Sequence, residues 1–338
     1  MLGFIESMKV LFIKLSAFGD LIHCLPALDD VLARDDVQEV HWLVDERFAF
    51  VTDVFPESVV IHRVALKGEH PIAAAWKVIQ ELRHEHFDVV IDLQSLIKSS
   101  LLAAATGAKV YGFDAREVRE KPATWLQKRT YFHADERHVV QKYRHVAAMP
   151  WQPSSYAENP LAYQTPWIQH ELKHTSFPTF PDKPWVVLSL GGSWQTKELP
   201  NDTWQAVAEG IAEKGWHGVM CWGNDEEHAK AKDIAEHVPL SVLKERLDIA
   251  SLCSLLKQAK ALVATDTGVL HLAAALGTPT VSFWGASASW RSGPLGHKHQ
   301  FVESSPICGP CFKRQCANFV CMDMICADEI LRCLKDMD

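Results

Sequence analysis

Short apolar runs alternate along this chain with stretches whose apolar residues return every three or four positions. Residues 9–15 (KVLFIKL) read as a strand buried on both faces, 40–44 and 89–93 read as further strands, and residues 72–84 carry apolar positions at helical spacing. A turn, Ser16-Ala17-Phe18-Gly19-Asp20, follows the first run, and a helical run starts at Leu21. The same grammar returns in the second half. Strands are expected at 185–190, 218–222, 261–264 and 280–284. Helices are expected at 204–214, 252–258, 271–276 and 327–335, with Ile234 and Ala235 inside one more. Strands alternating with helices predict parallel βαβ units, hence an α/β fold whose sheets are covered on both faces. Between the halves seven prolines crowd residues 150–184, a density that continuous helix or central strand does not tolerate. The expected organisation is an N-terminal Rossmann-like domain over 1–165, a linker over 166–184 and a C-terminal Rossmann-like domain over 185–338. The two domains are expected to face each other across a cleft.

Ligands of open parallel sheets sit at the C-terminal ends of the strands, so the strand-end turns are where chemistry is expected. Asp266-Thr267-Gly268 separates an apolar strand from a helix. Free N–H groups at such a helix start attract anions, Thr267 offers a hydroxyl, and Gly268 permits close backbone approach. The same residues equally suit a plain helix cap. A second turn, Gly191-Gly192-Ser193-Trp194-Gln195-Thr196-Lys197, again follows a strand. Its glycines, the hydroxyls of Ser193 and Thr196 and the charge of Lys197 suit a pyrophosphate. Neither G-x-x-x-x-G-K-[ST] nor a G-x-G-x-x-G after the first strand is present, which disfavours P-loop ATP hydrolysis and dinucleotide-dependent hydride transfer. Glu226, just past the strand at 218–222, suits a ribose hydroxyl or a solvated helix start. Asp20, directly after Gly19, suits a general base or an N-cap. His23 is either a second base or a packed core residue.

A chain of 338 residues is long enough for two cores. Its net charge of −8 argues against general nucleic-acid binding. Residues 97–130 reverse that sign: Lys98, Lys109, Arg116, Arg119, Lys121, Lys128 and Arg129 outnumber Asp114, Glu117 and Glu120, for a net +4. The reversal predicts an anionic substrate on the N-terminal half, or a solvated charged surface. Residues 1–7 lack the basic start of a secretion signal, and the longest apolar-rich stretch, 269–286, is interrupted by His271, Gly277, Thr278, Pro279 and Gly285. No spanning helix is therefore expected, and a cytoplasmic location is. Six of nine cysteines fall between 308 and 333. Cys308-x-x-Cys311 with Cys316, Cys321 and Cys326 has zinc-like spacing, and packed thiols in a Pro/Gly loop explain it as well.

Taken together, these motifs resemble those of the ADP-heptose:lipopolysaccharide heptosyltransferases (glycosyltransferase family 9), nearest to the type I enzymes. The resemblance spans nearly the whole chain. It is carried by Lys14 to Asp20 and on to Leu28, by Asp92-Leu93-Gln94 with Lys98 and Ser99, and by Arg119-Glu120. In the second half it is carried by residues 192–200, by Asp266-Thr267-Gly268-x-x-His271, and by the Cys308-Gly309-Pro310-Cys311 tail with Cys316. Leu199 departs from a frequent Trp, and Ser95 from a frequent Gly.

The resemblance implies an inverting GT-B transferase. Asp20 would be the base and Lys197 the neutraliser of the pyrophosphate. Ser193, Thr196, Asp266, Thr267, Gly268 and His271 would bind the donor, and Glu226 its ribose. Gly19, Gln94, Lys98, Arg119 and Lys121 would face the acceptor. The implied donor is ADP-heptose (ADP-L-glycero-D-manno-heptose), and the implied acceptor is the Kdo sugar of Kdo-lipid A in the lipopolysaccharide inner core of a Gram-negative cell. No metal and no cofactor beyond the donor substrate is implied, and peripheral contact with the inner face of the inner membrane is. Transfer onto an earlier heptose, nucleotide-sugar 2-epimerisation and non-catalytic nucleotide-sugar binding are the alternatives.

Overall fold

Val10, Leu11, Phe12 and Ile13 form an unbroken apolar run that is wholly buried, as a strand with helices over both of its faces requires. The computed structural model describes residues 7–127, 129–131, 138–151, 166–172, 180, 183–192 and 194–336. The chain divides into two compact units, 1–162 and 163–338.

The first unit runs β1 (Met8–Ile13), α1 (Phe18–His23), α2 (Leu25–Leu32), β2 (Val37–Asp45), β3 (Val59–Val64), α3 (Pro71–His84), β4 (Val89–Asp92), α4 (Ile97–Ala105), β5 (Lys109–Phe113), β6 (Arg129–Tyr131) and α5 (Val139–Ala148). A 3-10 helix, Lys121–Leu126, lies between β5 and β6. The sheet order is β3-β2-β1-β4-β5-β6, with every neighbouring pair parallel. Phe12 pairs with Trp42 on one side and Ile91 on the other, and the Phe12 and Trp42 rings stack at 5.2 Å. Val78 and Leu82 of α3 and Leu102 and Ala103 of α4 share one core with Leu11, Ile13 and Val90. Helix α5 packs on α2, where Arg144 grips Asp30 with two bonds of 2.6 and 3.1 Å.

The second unit runs β7 (Trp185–Ser189), α6 (Asn201–Glu213), β8 (His217–Cys221), α7 (Asp225–Ala235), β9 (Leu240–Val242), α8 (Ile249–Gln258), β10 (Ala261–Thr265), α9 (Gly268–Ala275), β11 (Thr280–Trp284), α10 (Ser289–Ser292), β12 (His299–Glu303) and α11 (Ala327–Lys335). Its order, β9-β8-β7-β10-β11-β12, repeats that of the first sheet. Each sheet thus reverses its winding once, beside β1/β4 and beside β7/β10, where α/β sheets bind ligands.

The expected strands and helices are present, with ends shifted by a few residues. Strands β3, β5, β6, β9 and β12 and helices α4, α5 and α10 come in addition. Part of the stretch 166–184, read as a linker, is tied to the second unit. Trp167 and Ile168 are buried there, and both donate backbone N–H to the Ala275 carbonyl at 3.0 Å. Two adjacent large apolar residues bury rather than bridge. No helix among the described residues is long and apolar enough to cross a membrane.

Candidate functional site

In the first unit the turn after β1 carries Asp20 in the first turn of α1, its side chain 45% exposed. Its carboxylate is held loosely. The Ala17 N–H lies 3.4 Å from Oδ2, the Tyr143 hydroxyl 3.5 Å from Oδ1, and Lys14 Nζ 3.8 Å from Oδ2. Lys14 itself is buried and donates to Tyr143 Oη at 2.8 Å and to the Leu93 carbonyl at 3.1 Å. A buried ammonium needs such partners. It leaves Asp20 at the end of a chain of donors that runs from Lys14 through Tyr143. The N-cap of α1 is Ala17, so the N-cap reading of Asp20 does not hold; Asp20 is the third helical residue, and its carboxylate reaches back to the Ala17 N–H. His23 is buried in the core, edge-on to His138.

Gln94 braces this turn from the neighbouring strand. Its Oε1 accepts from Leu15 N–H at 3.0 Å and Ser16 N–H at 3.1 Å, so its carbonyl end fixes the Asp20 loop. Behind it, Asp92 is fully buried and accepts from Gln94 N–H, Ser95 N–H, Ser99 Oγ and Ser100 Oγ at 2.9–3.0 Å. Burial still pushes its carboxyl above the usual range, against those four bonds. Ser95 sits at φ 49°, the left-handed region that favours glycine. That accounts for the glycine the resemblance leads one to expect there. Gly19 lies in α1 before Asp20, Lys98 in the first turn of α4, and Arg119 and Lys121 are exposed near it. Glu120 Oε2 accepts from the Ile97 N–H at 2.8 Å, which ties that segment to the start of α4.

In the second unit the structure brings Lys197 and Asp266 together. Lys197 Nζ donates to Asp266 Oδ2 at 2.6 Å and to the Asp266 carbonyl at 3.0 Å, and sits 4.3 Å over the Trp194 ring. His271 Nε2 meets the other carboxylate oxygen at 3.0 Å. Asp266 is 10% exposed. Burial opposes its charge, yet the His271 hydrogen bond and the Lys197 ammonium hold its carboxyl well below the usual carboxylate range. Both of its oxygens are engaged, so Asp266 orients Lys197 and His271. Thr267 caps α9, accepting from Leu270 N–H at 3.4 Å, and Gly268 starts the helix. The cap reading therefore holds for Thr267, and the helix start behind it stays available to an anion.

Two donor-side expectations change. Thr196 is buried and its hydroxyl donates to the Lys313 carbonyl at 2.6 Å, so it pins the loop to the segment after Cys311. Glu226 is exposed on α7, and its neighbour Glu227 turns back instead. Glu227 accepts from Gly223 N–H at 2.7 Å and from Asn224 Nδ2 at 2.9 Å, and lies where a side chain on Gly191 would stand. Sequence reading missed Glu227; a glutamate at the third position after the Asn224 cap was its signal. Leu199 is buried in the core, and its carbonyl accepts from Lys230 at 3.1 Å. Ser193 lies outside the described residues.

Among the described residues, three or more metal-type ligand atoms gather within 4.8 Å only at Glu39, His41 and Glu85. Lys9 already bridges the two carboxylates there, at 2.8 and 3.0 Å. The zinc-like spacing from Cys308 to Cys326 does not gather three thiols in this way, and all nine cysteines are free.

Set beside known proteins, residues 75–320 match the family profile of Glycosyltransferase family 9 (heptosyltransferase). The chain is 31% identical over 322 residues to lipopolysaccharide heptosyltransferase 1 of Pseudomonas aeruginosa, covering 91% of this chain and 87% of that one. It is 30% identical over 312 residues to lipopolysaccharide heptosyltransferase 1 of Escherichia coli K12, covering 88% and 94%. Its fold is similar to the solved E. coli heptosyltransferase WaaC with ADP-2-deoxy-2-fluoro heptose, at TM-score 0.77 and 25% identity, over 98% of this chain and all of that one.

Proposed function

Because the chain belongs to glycosyltransferase family 9, the heptosyltransferases, we propose that it moves heptose from ADP-heptose to the Kdo sugar of the lipopolysaccharide inner core. The observation that carries this reading is the identity to type 1 enzymes across nine-tenths of the chain. In the reading, Asp20 removes the proton of a Kdo hydroxyl while that oxygen attacks the anomeric carbon. The bond from that carbon to the ADP oxygen breaks, and the configuration inverts. An exposed, loosely held carboxylate supports this role, because it is free to take up the proton.

The leaving ADP gains negative charge as the bond breaks. Lys197 has three N–H donors and gives two to Asp266, which leaves one for a diphosphate oxygen. A charge held in place before the reaction stabilises the transition state without reorganisation, and the α9 N-terminus adds its dipole. No resident metal or cofactor takes part in this proposal. Glu226 or Glu227 serves the ribose, both lying at the start of α7. The acceptor is lipid-borne, so the enzyme works in peripheral contact with the inner face of the membrane.

A donor-by-acceptor matrix tests the reading: ADP-heptose and other nucleotide sugars against Kdo-lipid A, heptosylated lipid A and no acceptor. Transfer from ADP-heptose to Kdo-lipid A is expected. Turnover only on the heptosylated acceptor would assign the second transfer. Product without acceptor would point to an epimerase, and binding without turnover to a non-catalytic protein.

A further inference from the structure

Helices α3 and α4 and the 3-10 helix Lys121–Leu126 carry an outward apolar set that the fold does not use. Ile72 and Trp76 stand one turn apart on α3, 86% and 61% exposed, and Ile97 and Leu101 repeat that spacing on α4. Trp125 and Leu126 follow in the 3-10 helix, Trp125 81% exposed. The three elements are neighbours, with α4 packed on both of the others. Their inward faces are separately filled by Val78, Leu82, Leu102 and Ala103, which belong to the core, and by buried Ala123. Large apolar side chains exposed on three adjoining elements and not needed by the core mark an interaction surface.

Charge decides its partner. The three elements together are net +3, from Lys77, Arg83, Lys98 and Lys121 against Glu81, while the whole chain is −8. A two-fold contact between copies would set this basic face against itself. An anionic bilayer meets both features. Tryptophans settle at the membrane–water interface, aliphatic side chains enter the acyl boundary, and lysines and arginines meet the headgroups. Placement agrees as well. All three elements follow strands of one parallel sheet, so their early residues lie at the sheet edge that carries the Asp20 turn and Gln94.

We propose that the α3–α4–3-10 face is a bilayer-docking surface for anionic phospholipid, with Trp76 and Trp125 as its anchors. The purpose of docking rests on the lipid-borne acceptor proposed above; the surface itself does not.

The test is flotation of the full chain with vesicles free of lipopolysaccharide, one set about one-third phosphatidylglycerol and one of pure phosphatidylcholine. Binding to the anionic vesicles is expected, weakening as salt rises from about 0.05 to about 0.3 M. The double variant Trp76→Gln/Trp125→Gln is expected to lose at least about tenfold in partitioning with its melting temperature kept. Ile307→Gln, at an exposed apolar position of the second unit, is expected to bind as wild type. Transfer by the double variant should fall on vesicle-embedded acceptor and stay unchanged on detergent-dispersed acceptor. Wild type that ignores anionic vesicles, or a double variant that binds them equally, would overturn the proposal. So would self-association of the wild type that the double variant abolishes, since the face would then be a contact between copies. Vesicle binding with no transfer on any acceptor would leave the surface standing and remove the proposed function instead.

Discussion

Two aspartates sit at strand ends beside the winding reversals of two sheets with the same order, and their surroundings are opposite. Asp20 is nearly half exposed and its neighbours stand 3.4 to 3.8 Å away. Asp266 is largely enclosed, its side chain 10% exposed, ion-paired to Lys197 at 2.6 Å and bonded to His271 at 3.0 Å. A carboxylate that gains or loses a proton during turnover has to be reachable and weakly committed. One that fixes a cation has to be neither. The second-unit aspartate therefore orients a cation, whereas the first-unit one has the reach and the loose hold that the proposed general base needs, a contrast that composition and motif spacing alone do not reveal.

Replacing Asp20 attacks the reactive side and carries the largest expected effect. Asp20→Asn keeps the shape and removes the proposed base, so kcat should fall by about 10²–10⁴, the usual contribution of a positioned general base. ADP binding, measured by calorimetry, should stay within about twofold, because every proposed diphosphate contact lies in the second unit. Full turnover by this variant would remove Asp20 from the chemistry and leave it only its first-turn bond to Ala17.

Next in size, Lys197→Ala strikes the orienting side. It deletes the proposed diphosphate donor and strands Asp266, and kcat should drop by about 10²–10³, as when one preorganised donor is lost. ADP affinity should fall too, in contrast with Asp20→Asn. If the two variants lost ADP affinity equally, the division of labour between the two turns would be wrong.

Asp266→Asn tests the orienting acid through stability. Removing one partner of a buried pair costs about 3–5 kcal/mol. The lower end is expected, about 3 kcal/mol, because Lys197 keeps its bond to the backbone carbonyl of residue 266 and its place over Trp194. The carboxyl is held below its ordinary value in the folded state, so its stabilisation is complete above about pH 4 and is lost as pH falls toward the folded value. Thermal melts of wild type and variant should differ by a constant gap above about pH 5 that closes in stronger acid. A gap that does not narrow between about pH 5 and the acid unfolding limit would show that the ion pair is not its source.

Much of this comparison was legible before any coordinates. Central strands β1, β4, β7, β10 and β11 are mostly apolar and buried and read plainly. Edge strands did not: β3 and β12 mix His, Arg, Gln and Glu into a half-exposed ladder, and β6 and β9 have three residues each. Asp20, Lys197 and Asp266 were found because they follow strands. What linear reading missed is the partners. Lys14 left a trace, a charge at the end of an apolar strand, but its acceptor Tyr143 comes from α5, more than a hundred residues on. Glu227 was passed over for Glu226 because one residue along a helix start changes whether a carboxylate points back or out.

The smallest effect compares the turns after β4 and β10, which occupy equivalent strands. Thr267 caps its helix in extended backbone at φ −135°, whereas Ser95 is left-handed at φ 49°. Ser95→Gly would relieve roughly 1–2 kcal/mol of left-handed strain. Against that stand roughly 0.5–1 kcal/mol of added chain entropy in the unfolded state and roughly 0.5–1.5 kcal/mol for the lost Oγ bond to the Asp92 carbonyl at 3.2 Å. The terms nearly cancel, so the melting temperature should move by less than about 3 °C. Ser95→Val adds a β-branched side chain to the same backbone and should cost more than about 2 kcal/mol. A large gain from glycine would mean that the serine bond contributes nothing and that the turn after β4 is the more strained of the two. A harmless valine would mean that the turn relaxes out of the left-handed region, and the Gln94 brace on the Asp20 loop would then be looser than its 3.0 Å bond to Leu15 indicates.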